Sequence, residues 1–125
     1  MMPNILDATV AYLDDCLHGL DEQLPPIWVT AAKADKESYQ VVIRDDGGEL
    51  LEYPRATAHL GINIYAPTES EADLLANYVR WALSEWADAR PVLLATPSLP
   101  HQIADITPRR YLTAELTILL GKTNI

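Results

Sequence analysis

The sequence predicts an α+β fold: an antiparallel or mixed sheet of four to five strands, with two amphipathic helices packed on one face. Three observations predict it. Leu6, Val10, Leu13, Leu17 and Leu20 recur at steps of four, three, four and three, one face of a 3.6-residue period. Ala72, Leu75, Val79, Ala82, Leu83 and Trp86 gather in the same way at about 100° per residue. Leu60, Ile62 and Ile64, and then Leu112, Ala114, Leu116, Ile118 and Leu120, alternate with other residues at the two-residue period of a half-buried strand. Strands with one polar face suit a sheet covered by helices on one side only.

In chain order, the first helix starts near Asn4, whose side chain can cap it. Asp7 in the first turn is favoured by the helix dipole. Gly19 and Pro25-Pro26 mark its end, and Asp21 and Glu22 sit where the dipole prefers cations. Ile27 to Thr30 reads as a short edge strand, and Lys33 to Glu37 as a turn. Tyr39, Val41 and Ile43 form a half-buried strand that stops at Asp45-Asp46-Gly47-Gly48, a turn signal because glycine accepts positive φ freely. Residues 49–57 read as a loop broken by Pro54. In the next strand, Gly61 suggests a close backbone approach or a bulge. Thr68 followed by Glu71 is the capping-box pattern, in which each side chain satisfies the other's free amide. The helix it opens is expected to run to about Ala89, before Arg90-Pro91. Val92 to Ala95 is a short strand. Pro97, Pro100 and Pro108 make residues 96–109 a long, stiff connection, a length that is often functional. The last strand is Tyr111 to Leu120, with Thr113, Glu115 and Thr117 on its polar face, and a polar tail follows.

The 125 residues make one domain, 1–125, able to bury about two-thirds of its unfolded surface without disulfides or metal. With 49% hydrophobic and 22% charged residues, the composition excludes a disordered or collagen-like chain. One cysteine excludes an internal disulfide framework and a Cys-rich zinc site. No apolar run reaches the ~18 residues of a transmembrane helix, and Met-Met-Pro-Asn opens without the basic region of a signal peptide. The net charge of −9 argues against a general binder of nucleic acid or anionic membrane. Residues 1–52 hold eleven acids and three bases, a net of −8, while residues 53–125 carry a net of −1. This imbalance reads either as a solvated acidic face or as a surface that repels something anionic or docks a basic partner.

No catalytic constellation emerges, so the chain reads as a non-enzyme without cofactor or metal. Neither a Walker pattern nor G-x-G-x-x-G is present, and Gly47-Gly48 lies between strands, not before a helix. His18, His59 and His101 lack ligand spacing. Cys16 stands beside Asp14 and Asp15, which raise rather than lower a thiol pKa, and reads as a buried structural thiol. Asp14-Asp15 and Asp45-Asp46 read as solvated charge. Ser38, Ser70, Ser84 and Ser98 have no nucleophile elbow. The only basic doublet, Arg109-Arg110, reads as a local ion pair or as a contact to an acidic patch on a neighbouring subunit.

The long helix has more apolar surface than one core needs. Asp73, Asn77, Arg80, Ser84 and Asp88 lie opposite the core stripe, while Leu74, Tyr78 and Trp81 form a second strip. Tyr78 can tuck into the core edge, but Leu74 and Trp81 point farther away. Either residues 96–109 cover them or they pack on another chain, where aromatic anchors are enriched. Leu74, Trp81, Arg109 and Arg110 are thus the candidate subunit or partner interface.

In order and spacing, residues 4–121 resemble the tail terminator proteins of long-tailed bacteriophages. The features are the helix of residues 4–20 leading through Pro25-Pro26, Val41-Val42-Ile43-Arg44 running into Asp46-Gly47-Gly48, and Leu60-Gly61-Ile62-Asn63-Ile64-Tyr65-Ala66 feeding into Thr68-Glu69-Ser70-Glu71-Ala72. Pro108-Arg109-Arg110-Tyr111 then opens a final strand closing at Gly121. The resemblance implies a virion protein, built in the host cytoplasm, that forms a ring with itself, usually a hexamer. Such a ring caps the tail tube protein, stops tube polymerisation and meets a head–tail connector protein. It implies no reaction, and DNA passing through without specific binding, which the acidic balance suits. Two other readings remain: a head-side stopper or adaptor, and a small-ligand-binding domain with an aromatic pocket from Trp28, Trp81, Trp86 and tyrosines.

Overall fold

The computed structural model describes residues 5–17, 27–32, 39–49, 55–86, 92–103 and 108–119. Its elements are α1 (Ile5–Leu17), β1 (Trp28–Thr30), β2 (Gln40–Asp45), β3 (Arg55–Tyr65), α2 (Glu69–Ser84), β4 (Val92–Pro97), β5 (His101–Ile103) and β6 (Arg109–Leu119). Among the described residues they form one open, six-stranded sheet of order β1-β2-β3-β6-β4, with β5 also beside β6. β1 runs parallel to β2, and the other pairs are antiparallel, so the sheet is mixed. The predicted α+β class is the observed one, with six strands in place of four to five.

The core lies between the helices and one sheet face. Ala56, Ala58, Leu60, Ile62 and Ile64 of β3 are buried with Leu112, Ala114, Leu116 and Ile118 of β6. The unbroken register from Arg55↔Leu119 to Tyr65↔Arg109 puts both sets on the same face. Val41 and Ile43 extend the core onto β2, and Val92 and Ala95 onto β4. α1 buries Ile5, Thr9, Leu13 and Leu17. The buried line is therefore rotated from the expected stripe, with Leu6 and Val10 half-buried on its flank and Leu20 outside the described residues. Thr9 holds a core position because its hydroxyl donates to the Ile5 carbonyl at 2.7 Å, leaving no unpaired donor.

Three sequence expectations are corrected. The chain does not reverse at Asp45–Gly48. The Asp46 amide donates to the His59 carbonyl and the His59 amide to the Gly47 carbonyl, at 2.7 and 2.6 Å, so an extra residue is absorbed as a bulge. Gly47, at φ 94°, supplies the left-handed residue this needs. Glu49 and Thr57 then exchange both backbone bonds, and β3 begins at Arg55 inside the expected loop. Residues 96–109 are not a free connection either. β4 reaches Pro97, the Ser98 amide donates to the Thr113 carbonyl at 2.7 Å, and β5 rejoins β6. Pro97 and Pro100 fit there because an edge segment has a side where no ladder donor is required. Finally, α2 ends at Ser84, not Ala89. Trp86 is turned back onto the core and stacks on Tyr12, ring centroids 4.3 Å apart.

Thr68 caps α2 as predicted, accepting from the Glu71 amide at 3.2 Å. The Glu71 carboxylate takes its bonds from the Thr68 and Tyr39 hydroxyls, tying the cap to the start of β2. No helix among the described residues is long and apolar enough to cross a membrane. The expected cap Asn4, the Gly19 to Pro26 stop, Lys33–Glu37, Pro54 and the tail lie outside the described residues.

Candidate assembly surfaces

The first surface is the outer side of α2. Ala72, Leu75, Val79, Ala82, Leu83 and Trp86 are buried as the periodicity predicts. Asp73, Asn77, Arg80 and Ser84 are exposed, and Asp88 lies outside the described residues. Tyr78 is half-buried against the core edge. Leu74 is 40% exposed and Trp81 50% exposed, large apolar side chains left in water. α1 packs alongside, with the Tyr12 hydroxyl donating to the Ala82 carbonyl at 2.6 Å. Burial and the neighbouring Cys16 push that hydroxyl well above its usual pKa. Cys16 itself is half-buried rather than fully buried.

Arg109 and Arg110 belong to opposite sheet faces. The Arg110 side chain is only 10% exposed; Nη1 lies 2.6 Å from Glu69 Oε2, and Nε lies 3.7 Å from Asp73 Oδ1. A guanidinium this deep is tolerable because those carboxylates compensate it. Arg109 Nε and Nη2 donate to Asn63 Oδ1 at 2.9 and 2.6 Å, and its Cζ lies 5.7 Å from the Tyr65 ring centre. Both arginines therefore make local pairs within the subunit, which leaves Leu74 and Trp81 as the exposed members of the candidate set.

The second surface is the sheet face away from the helices. It carries Arg44, Asp46, His59, Asn63, Arg109, Tyr111, Thr113, Glu115 and Thr117. Arg44 pairs with Asp46 at 2.6 Å and reaches the Tyr111 hydroxyl at 3.3 Å. Its hydrogen bond holds the Asp46 carboxyl below the usual carboxylate range. His59 Nδ1 lies 3.8 Å from Glu115 Oε2. Asp46, His59, Thr96, Ser98, Thr113 and Glu115 surround a shallow depression of about 400 Å³.

The described histidines lie apart on the sheet. His101 pairs in register with Tyr111 and His59 with Glu115, four residues farther along β6, so the two imidazoles share no site. His18 lies outside the described residues. No group of three His, Cys, Asp or Glu among the described residues could hold a metal ion. The tryptophans are separated too: Trp28 is exposed on edge strand β1, Trp81 is exposed on α2, and Trp86 is buried. At Gly61, where the sequence suggests a close backbone approach or a bulge, the atoms that come close are instead the side-chain ends of Arg44, Asp46 and Tyr111. No protein-family model matches the chain, and no curated protein matches it.

Proposed function

We propose that the chain is a structural virion protein, a tail terminator of a long-tailed bacteriophage. In this reading copies of the chain close into a ring, six being the expected number. The ring caps the tail tube, stops its polymerisation and joins it to the head-side connector. DNA crosses it without specific binding, for which a net charge of −9 is suited.

The observation that carries this reading is the presence of two unlike surfaces, back to back. The helical side offers Leu74 and Trp81 to an apolar contact. The uncovered sheet side offers a polar lattice of Arg44, Asp46, Tyr111 and Arg109. A joint needs two such surfaces, since it meets chemically different neighbours on either side. Contacts between unlike patches also propagate head to tail, and they close into a ring when the rotation allows.

Native mass spectrometry of the purified chain tests the ring. The expected result is a closed assembly of one size. A chain that stays monomeric up to the concentrations at which tail tubes assemble would contradict it.

A further inference from the structure

Asp46 is the one aspartate or asparagine of the sequence that a glycine follows. Glycine has no Cβ, so it leaves the backbone nitrogen after an aspartate the least hindered. An aspartate in that setting can close a succinimide ring. The Gly47 nitrogen attacks Asp46 Cγ, and the Gly47 amide proton leaves with the carboxyl OH as water. A second water then opens the ring at one of its two carbonyl carbons. Addition at Cγ restores aspartate. Addition at the main-chain carbon leaves the Gly47 nitrogen bonded to Cγ, which is isoaspartate. One water leaves and one returns, with no oxidant or reductant. Asp46 and Gly47 are both exposed, so that water has access.

In the fold each reacting group is held by another partner. Arg44 Nε and Nη2 donate to the two oxygens of the Asp46 carboxylate at 2.6 and 3.2 Å. The Gly47 amide donates to Asp45 Oδ1 at 2.9 Å, a bond that must break before the ring closes. The Asp46 amide and the Gly47 carbonyl are tied to His59 of β3 at 2.7 and 2.6 Å. Arg44 also keeps the carboxyl below the usual carboxylate range, so less of it carries the proton that the departing water needs. The other titratable groups near it are Asp45 in the same strand, His59 of β3, and Tyr111 and Glu115 of β6.

We infer that Asp46–Gly47 is a site of isoaspartate formation, a self-modification of the chain that Arg44 restrains by pairing with the reacting carboxylate. The product has one more carbon in the main chain of the bulge, and its free carboxylate sits directly on Cα, displaced from the place where Arg44 meets it. This inference stands independently of the assembly reading.

The test incubates the full chain in mildly acidic buffer, folded and in denaturant, and locates isoaspartate by enzymatic methylation and peptide mass spectrometry. In denaturant, Asp46 should convert faster than every other aspartate. In the folded chain it should lag well behind its denatured rate. Arg44→Met should raise the folded rate about threefold, the scale of an exposed ion pair, and move its pH profile upward. Amide exchange at His59 should stay as in the wild type. Equal folded rates in wild type and Arg44→Met overturn the inference, as does an Asp46 no faster than other aspartates in denaturant. A faster rate with an unmoved pH profile and faster His59 exchange assigns the restraint to the bulge and overturns the part given to Arg44. Circular dichroism checks folding, and Arg44→Gln is the second variant should Arg44→Met not fold.

Discussion

Arg44 and Tyr111 meet across Gly61. They stand on β2 and β6, the two neighbours of β3, and Arg44 Nη2 donates to the Tyr111 hydroxyl at 3.3 Å. A Cβ at Gly61 would lie 2.9 Å from that hydroxyl, 2.9 Å from Asp46 Oδ2 and 3.0 Å from Arg44 Nη2. The missing side chain lets two flanking strands exchange a hydrogen bond over a central one.

Gly61 and Gly48 should therefore respond differently to alanine. The atoms crowding Gly61 are the ends of flexible side chains, so Gly61→Ala should change stability by less than about 1 kcal/mol. A Cβ at Gly48 would lie 1.9 Å from the Thr57 backbone oxygen. Backbone must move there, and Gly48→Ala should cost about 1–3 kcal/mol. Denaturant unfolding of the two variants measures the difference.

Arg110 should matter more to folding than Arg109. Truncating Arg110 removes a largely buried side chain and its links from β6 to Glu69 and Asp73 of α2. Arg110→Ala should cost about 1–3 kcal/mol, with the partner carboxylates, which are 57% and 63% exposed, returning to water. Arg109→Ala, on the open face, should cost less than about 1 kcal/mol. Thermal unfolding would compare them.

The Arg44–Asp46 pair should be lost in acid, and an acid titration should reveal it. The folded-state pKa of Asp46 is held down by its hydrogen bond to Arg44. The pair's contribution is then fully present above the ordinary aspartate value and is lost as pH falls through the lowered one. NMR titration should place Asp46 below the usual carboxylate midpoint, and Arg44→Met should move that midpoint upward. An unchanged midpoint would show that the pair is not formed in solution.

Duplex DNA should not bind at physiological salt, because the chain has a net charge of −9 and its sequence shows no basic stripe. A salt-sensitive mobility shift at micromolar protein would remove the argument for DNA sliding through the ring.

The helices and the two long strands were legible because their burial is periodic. The α2 stripe from Ala72 to Trp86 and the alternation from Leu112 to Ile118 each follow from one face meeting one core. Gly47 was legible as a signal but not as a structure. Gly47 accepted positive φ in a bulge rather than a reversal, and which of the two occurs depends on whether β3 lies alongside. β5 was hidden because Pro97, Pro100 and Pro108 read as breakers, while at a sheet edge a proline costs no ladder bond. The fate of Arg110 was hidden for a different reason: Glu69 stands 41 positions away in sequence, and no local pattern announces such a pair. For the candidate surface, Leu74 and Trp81 followed from helix phase alone.

The tail-terminator reading is tested most directly by tube length. Tail tubes assembled from the tube protein of the same phage, with and without the purified chain, can be measured by electron microscopy. The account predicts that the chain sits at one tube end as a ring and that added chain arrests further growth. Tubes that grow to the same length with the chain present, and with no ring at either end, would contradict it.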